Sequence, residues 1–375
     1  MKKLLLFFVP LLGVHAIAQT TTFKISDLAV PGSPAFIITD VSPTLSQTPA
    51  TPKAFALGVA QSFQSGDGFP TNYSAEFSPY WWLKPAGRSA YSLVGLDKTR
   101  TKEDPFSGLK FVSASVAFVK KDLIPDVVTL DQKAIAFGVR ATIIKVHAKG
   151  YATAIAGKIQ EWHDAAQKEL DSNAALVAII ARFPDPAVQD SVLRRFRTLP
   201  LTNSITKDIN DLFTKKPLFA WDVAIAASQY GIDDSVWQSG RFGAWTNVST
   251  YLPIVINPGS NSKNYLNLTA SARYLTDQYQ KLETGGIGFQ SNFDIGGKVA
   301  LEFDHLSCGV ESLYRYSDGK ANSQNRTIGF VSVKVANNLF VNGMFGENFD
   351  HPNKLVTVFG INWGFGQEQA ALPEN

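Results

Sequence analysis

Residues 133–146 read Lys133-Ala-Ile-Ala-Phe-Gly-Val-Arg-Ala-Thr-Ile-Ile-Lys-Val146. In an extended chain, successive side chains point to opposite faces. Ile135, Phe137, Val139, Ala141 and Ile143 therefore share one face, and Ala136, Gly138, Arg140 and Thr142 share the other. The first face is broadly apolar, while the second is small or neutral-polar with a single guanidinium. A soluble sandwich would bury the apolar face and show Lys and Glu to water on the other. Small and neutral-polar side chains instead suit the lumen of a barrel, where an occasional charge is tolerated as it would not be towards lipid. This stretch decides for a membrane barrel over a sandwich.

Working outward, the same alternation returns along most of the chain. Phe219, Trp221, Val223 and Ile225 oppose Ala220, Asp222 and Ala224. Leu266, Leu268, Ala270 and Ala272 oppose Asn267, Thr269, Ser271 and Arg273, and Ile287, Phe289, Phe293 and Ile295 oppose Gly288, Gln290, Asn292 and Asp294. Near the end, Leu355, Thr357, Phe359, Ile361, Trp363 and Phe365 line up against Val356, Val358, Gly360, Asn362 and Gly364. The pattern predicts an all-β fold with a helical insertion: a transmembrane antiparallel up-and-down β-barrel of about twelve strands, within a range of roughly ten to fourteen. They are expected near 54–64, 72–83, 108–121, 132–147, 217–229, 237–251, 264–276, 285–295, 298–317, 324–336, 339–348 and 354–366. The apolar face of 298–317 slips phase between Phe303 and Leu306, which predicts a bulge or tight turn near Cys308-Gly309. Two strands there would require a merger elsewhere, since single-chain barrels usually have even counts. Gly296-Gly297 and Asn337-Asn338 read as short periplasmic turns, and 317–322 and 346–353 as outer loops.

Before the strands, residues 1–18 have the build of a signal peptide. Lys2 and Lys3 precede an apolar stretch from Leu4 to Val14, too short to span a bilayer, and Ala16-Ile17-Ala18 supplies the cleavage pattern. Residues 19–53 read as a Pro/Thr-rich periplasmic lead-in, with a plug as the alternative, and Phe36-Ile37-Ile38 within it could dock or add a short strand. Strands fill 54–147 and 216–366, and 367–375 is a tail. Between them, 148–215 turns helical: Ile155, Ile159, Trp162, Ala166 and Leu170 recur at three- and four-residue spacing. Val188, Val192 and Phe196 make a second stripe, and Ile205, Ile209, Leu212 and Phe213 a third. This insertion reads as a cap, a plug or a docking module for a protein partner, on the periplasmic side by strand parity.

Composition excludes several functions. Loss of Lys2 and Lys3 with the leader takes the formal charge from +3 to +1, which offers no attraction for nucleic acid. The single Cys308 rules out an internal disulfide framework. The histidines and carboxylates lack metal-ligand spacing, and no cofactor motif is present. Arg140, Arg273, Glu302, Asp304 and Lys334 are expected to face the lumen, with Glu302 and Asp304 balanced by Arg273 or Arg315. Trp81, Trp221, Trp363 and Phe365 are expected at the lipid–water interfaces. One alternative is enzymatic. His305 and Ser307 would stand about 7 Å apart on one strand face, a base beside a nucleophile. This resembles the His-x-Ser pairing of outer-membrane phospholipase A and the lipid A deacylases, although Cys308 stands where those families usually have Asn. The resemblance implies a lipid esterase with catalytic His305 and Ser307.

The signal, the lead Ser33-Pro34-Ala35-Phe36 through Val41-Ser42-Pro43, and Pro49 to Pro52 running into the first strand together resemble outer-membrane β-barrel proteins of the Bacteroidetes type. That resemblance implies the cell outer membrane and outer-membrane lipid as the surroundings. The leading expectation is a non-enzymatic barrel, channel-like or a membrane platform for its helical insertion. A secreted soluble β-sandwich that binds a ligand is a further alternative.

Overall fold

A computed structural model of the protein describes residues 32–40, 55–62, 72–83, 89–121, 132–172, 178, 212, 215–231, 237–255, 264–282, 287–303, 305–318, 323–336, 339–349 and 351–365. The expected leader and tail, the stripe Val188-Val192-Phe196, most of the third helical stripe, and Asp304 lie outside them.

Twelve strands run antiparallel in chain order: β1 (Phe55–Ser62), β2 (Asn72–Phe77), β3 (Ser113–Lys121), β4 (Gln132–Val146), β5 (Phe219–Gly231), β6 (Trp237–Pro253), β7 (Tyr265–Lys281), β8 (Ile287–Glu302), β9 (Leu306–Ser317), β10 (Gln324–Ala336), β11 (Leu339–Asn348) and β12 (His351–Phe365). Each pairs with its neighbours in sequence, and β1 closes the barrel on β12 from Phe55↔Phe365 to Ser62↔Val358. Along the paired registers each strand meets a neighbour on both sides, which is how strands satisfy their backbone groups in a bilayer. Strands β4 to β12 are 10 to 17 residues long, and about 9–11 tilted residues suffice to cross.

Side chains alternate as the sequence dictates. On β4, Phe137 and Val139 are exposed while Ala134, Ala136, Gly138, Arg140 and Thr142 are buried. On β7 and β8, Leu268, Tyr274, Phe293, Ile295 and Val299 face out, and Asn267, Thr269, Arg273, Asn292, Asp294 and Lys298 face in. The outer surface carries an aromatic row in register across three strands, Tyr274–Phe293–Tyr316, all exposed. Large apolar side chains outside and charged ones inside reverse the order of a soluble core. That inversion defines the molecule as a transmembrane β-barrel.

The structure corrects several boundaries. Gly296-Gly297 is no turn: both lie within β8. A Cβ on Gly296 would collide with the Ser312 carbonyl, and one on Gly297 would stand 2.7 Å from the Thr269 carbonyl. The pair permits close approach to the flanking strands. The chain turns instead at 303–305, where Phe303 N donates to the Leu306 carbonyl at 2.7 Å. That turn, and no bulge at Cys308-Gly309, causes the phase slip; the expected 285–295 and the start of 298–317 merge, so the count stays at twelve. The expected strand 72–83 stops at Phe77, because Pro79 has no N–H to give a ladder. Residues Tyr80–Leu83 form a short helix, α2, which removes Trp81 from any strand.

Two further helices lie at the barrel end to which β1 and β12 bring the termini. Ala90–Leu93 is α3, started by a capping box between Ser89 and Ser92. Tyr151–Ser172 is α4, the first expected helix of the insertion. Tyr91, Leu93, Val94, Leu96 and Phe111 from the 78–112 connection pack against Tyr151, Ile155, Ile159 and Trp162 of α4. They form a small second core, which Leu212 joins. Described residues of the connection between β2 and β3, where the sequence offered strand ends at 78–83 and 108–112, thus supply half of a helical module, the cap.

Candidate functional site

The site is the lumen, and part of the chain already fills it. Pro34–Ile37 is a single-turn helix, α1, begun by Ser33, whose hydroxyl accepts from Phe36 N at 3.2 Å, with Pro34 in the first turn. Ala35, Phe36, Ile37, Ile38, Thr39 and Asp40 are buried. The expected lead-in is therefore, over these residues, an inserted plug. Its place follows from the wall. The inner faces of β3, β4 and β5 offer Ala117, Ala134, Ala136, Gly138, Ala224 and Ala226, side chains small enough to leave room for it. A Cβ on Gly138 would come within 2.5 Å of the Pro34 Cβ. Ala35 N donates to the Ser115 hydroxyl at 3.1 Å, and the Ser33 and Ser74 hydroxyls share a hydrogen bond.

The opposite wall holds charge. Arg241 on β6, Arg273 on β7 and Arg315 on β9 converge on Asp40. Arg241 Nη1 donates to Asp40 Oδ2 at 2.9 Å and Arg273 Nη2 to Oδ1 at 2.9 Å, while Arg315 Nη2 lies 3.6 Å from Oδ2. Each arginine is also fixed by its wall through Nε: Arg241 to Asp277 at 2.6 Å, Arg273 to Asp294 at 2.8 Å, Arg315 to Asp294 at 2.8 Å. Two donate to the plug backbone, Arg273 Nη1 to Ile37 O at 3.1 Å and Arg241 Nη1 to Ile38 O at 3.4 Å. Asp40 itself has φ +55°, a left-handed conformation that Asp tolerates better than most residues. Arg315 lies over the Phe349 ring, 3.8 Å from its centroid. Buried charges are stable only when paired and hydrogen-bonded, as these are.

Two other buried pairs brace the wall. Arg140 on β4 holds Glu76 on β2 by both oxygens, and Arg326 on β10 pairs with Glu311 on β9. Towards the cap, the lumen wall is a polar ladder. The Ser249 and Thr269 hydroxyls lie 3.0 Å apart, Thr269 donates to Asn267 Oδ1 at 2.8 Å, and Asn267 donates to Glu302 Oε1 at 2.8 Å.

Of the expected lumen charges, Arg140 and Arg273 are buried there. Glu302 and Lys334 fall on the inward phase of β8 and β10, half-buried. Glu302 is balanced by Lys216 at 3.3 Å and by Asn267, not by Arg273 or Arg315, which both serve Asp294. Trp221 is exposed on the outer face and donates from Nε1 to Thr246 Oγ1 at 2.7 Å. Trp363 and Phe365 end β12, in register with Leu57 and Phe55. His305 and Ser307 are not on one strand face: His305 is exposed in the 303–305 turn, while Ser307 lies within β9 on the inward phase. Backbone geometry there ties His305 O to Lys334 N at 2.8 Å. Among the described residues no His/Cys/Asp/Glu group could hold a metal.

Asp40, Arg241, Asp277, Glu311 and Arg326 escaped the sequence reading, and Arg315 entered it only as a counter-charge for Glu302 or Asp304. A signal was available for some of them: Arg315 sits between Tyr314 and Tyr316, and Arg241 precedes Phe242, so both alternate with exposed aromatics. Near Asp40 the sequence offers only the apolar Phe36-Ile37-Ile38, which could dock but does not mark the carboxylate.

The cap carries one buried titratable cluster. His147 N donates to Glu103 Oε2 at 2.8 Å, and the His147 ring stacks on Tyr151 at 3.9 Å. Burial holds the imidazole below its ordinary pKa, against the opposing pull of the Glu103 carboxylate.

No family model and no curated protein matches the chain. Among solved structures it is similar to a KdgM porin in complex with disordered oligogalacturonate, at 7% identity and a TM-score of 0.37, covering 83% of this chain and 99% of that one. The NanC porin gives 7% identity and 0.36, covering 84% and 100%. The transport unit of the autotransporter AIDA-I from Escherichia coli gives 8% and 0.31, covering 83% and 89%.

Proposed function

We propose that this protein is a non-enzymatic outer-membrane β-barrel that gives a solute a path across the lipid, here in its closed state. The observation that carries the reading is the inversion of polarity. Exposed Phe137, Ile225, Phe242, Phe293, Ile295 and Phe345 face outward, and paired charges and amides line the interior. A stable wall alone would be served by apolar packing, since buried ion pairs gain little over well-packed apolar groups. A lumen that keeps five arginines paired fits a passage better than a solid core. The separation of His305 in a turn from Ser307 in a strand supports the non-enzymatic side of the reading. The cap of α3 and α4 is its second component, a module at the barrel rim that a partner or the pore can use.

The test is heat-modifiable migration of detergent-extracted protein, followed by single-channel recording in planar bilayers. A faster unboiled band and rare, brief openings are expected. Recovery in the soluble fraction without a heat-dependent shift would overturn the reading in favour of a secreted β-protein.

A further inference from the structure

We propose that Arg241, Arg273 and Arg315 form a luminal binding site for a carboxylate-bearing solute, and that Asp40 occupies this site from within the same chain. The inference deepens the solute-path reading and rests on it for its biological sense. Its structural ground is that each guanidinium is held to the wall independently of the plug. Asp277 and Asp294 hold the three Nε edges, and Asp294 also meets Nη2 of Arg273 at 2.7 Å and of Arg315 at 3.0 Å, while Nη groups of the same arginines reach Asp40. The wall contacts do not involve the plug, so the seat keeps its shape when Asp40 leaves.

Charge points the same way. Among the described residues of this cluster, three guanidinium groups face two wall carboxylates, and Asp40 brings the third negative charge. Without it a positive charge is left in a buried place, which strongly favours capture of an anion. The shape of the seat selects the class of anion. One Asp40 oxygen receives Arg241, with Arg315 nearby, and the other receives Arg273, so separate guanidinium groups offer charge-assisted donors to both oxygens of a carboxylate. The rest of the plug contributes an apolar face on small alanines, the Ile37 and Ile38 carbonyls that accept from Arg273 and Arg241, and hydrogen bonds to Ser74 and Ser115. A competing carboxylate therefore needs to replace only a short segment's hold.

The test is thiol access to the plug. Thr39 is fully buried beside Asp40, and Cys308 is the only native thiol. Thr39→Cys in a Cys308→Ser background is folded in detergent, and its rate of maleimide labelling is measured in succinate, sulfate and chloride at matched ionic strength. The expected result is slow labelling in chloride and acceleration of about tenfold or more in succinate, since the ligand shifts the plug's equilibrium only through its own affinity. Asp40→Asn in the same background should label rapidly in chloride. In that variant succinate should raise the temperature at which the heat-modifiable band is lost, and adding Arg273→Gln should abolish the rise. Equal rates in succinate and chloride overturn the proposal. So does equal acceleration by sulfate, which would show an unselective anion effect. If Asp40→Asn yields no heat-modifiable band, the succinate effect on the Asp40-containing protein decides alone. These readouts need no conductance: a succinate effect without channel activity removes the solute path and keeps the seat, and channel activity without a succinate effect does the reverse.

Discussion

Arg140 reaches across β3 to grip Glu76 by both carboxylate oxygens, Nε to Oε1 at 2.6 Å and Nη2 to Oε2 at 3.0 Å, with the Ser113 hydroxyl donating to the same carboxylate. Three consecutive strands are thus fastened on their inner faces by one buried pair. Arg140→Met leaves the Glu76 carboxylate buried without its cation, at a cost of about 3–5 kcal/mol. The expected outcome is a clear drop in the temperature at which the barrel loses its compact SDS-resistant form. The double substitution Glu76→Leu with Arg140→Met should recover most of that loss, because no charge is then stranded. A double variant as unstable as the single one would show that the pair shapes the wall in some further way.

The barrel was legible in the sequence because its signal is local. Each strand states its two faces within a few residues, as β4 does with Phe137 and Val139 against Gly138 and Arg140. The division at 303–305 was half legible: the phase slip between Phe303 and Leu306 was visible, but the turn could be placed only once Gly296 and Gly297 were seen pressed against neighbouring strands. The plug was legible only as the lesser alternative for the lead-in, and its ion-pair partners were not. Pro34 and Pro43 discourage strand pairing, and the partners of Asp40 stand 201 and 233 residues away in sequence. The cap connection was missed for a related reason, since α2 and α3 span four residues each and give no helical period to read.

Gly138 tests whether the plug depends on the small residues beneath it. Its missing side chain leaves the space that Pro34 uses, at 2.5 Å from where a Cβ would stand. Gly138→Val should oppose insertion of the plug by about 1–3 kcal/mol, the usual cost of overpacking. The barrel wall itself tolerates a β-branched residue in a strand. The expected result is a barrel that still runs as a heat-modifiable band, with longer or more frequent channel openings than the parent. Unchanged gating with a folded barrel would show that the plug is held by its Asp40 end alone.

The cap and the lumen have separate cores, and their stabilities should separate too. Ile159 is fully buried among Tyr91, Leu93, Ile155 and Trp162, none of which belongs to the cluster around the plug. Ile159→Ala removes three carbons from that small core and should destabilise the cap by about 2–5 kcal/mol. Limited proteolysis should then cut faster within 147–215, while the heat-modification temperature of the barrel stays where it was. A parallel fall in barrel stability would show that the two cores fold as one unit.

Acidification should loosen the cap through His147. The ring is buried against Tyr151, and its Nδ1 donates to the Glu103 carboxylate, which can only accept. Desolvation is the largest influence and lowers the imidazole pKa, Lys145 nearby adds to the lowering, and Glu103 opposes both. An unfolded histidine titrates near about 6.5. Between that value and the lower folded one, the unfolded cap takes up a proton that the folded cap refuses. The His147 contribution is therefore complete above about pH 6.5 and is lost progressively as the pH falls below it. Proteolysis of 147–215 should quicken from pH 7.5 to pH 5.5 in the parent protein, using a protease whose activity is corrected for pH. In His147→Gln that dependence should flatten, because a neutral side chain of similar reach takes the place of the titrating one. A cap that tightens on acidification would mean that the Glu103 ion pair outweighs burial, and the sign of the effect would then reverse.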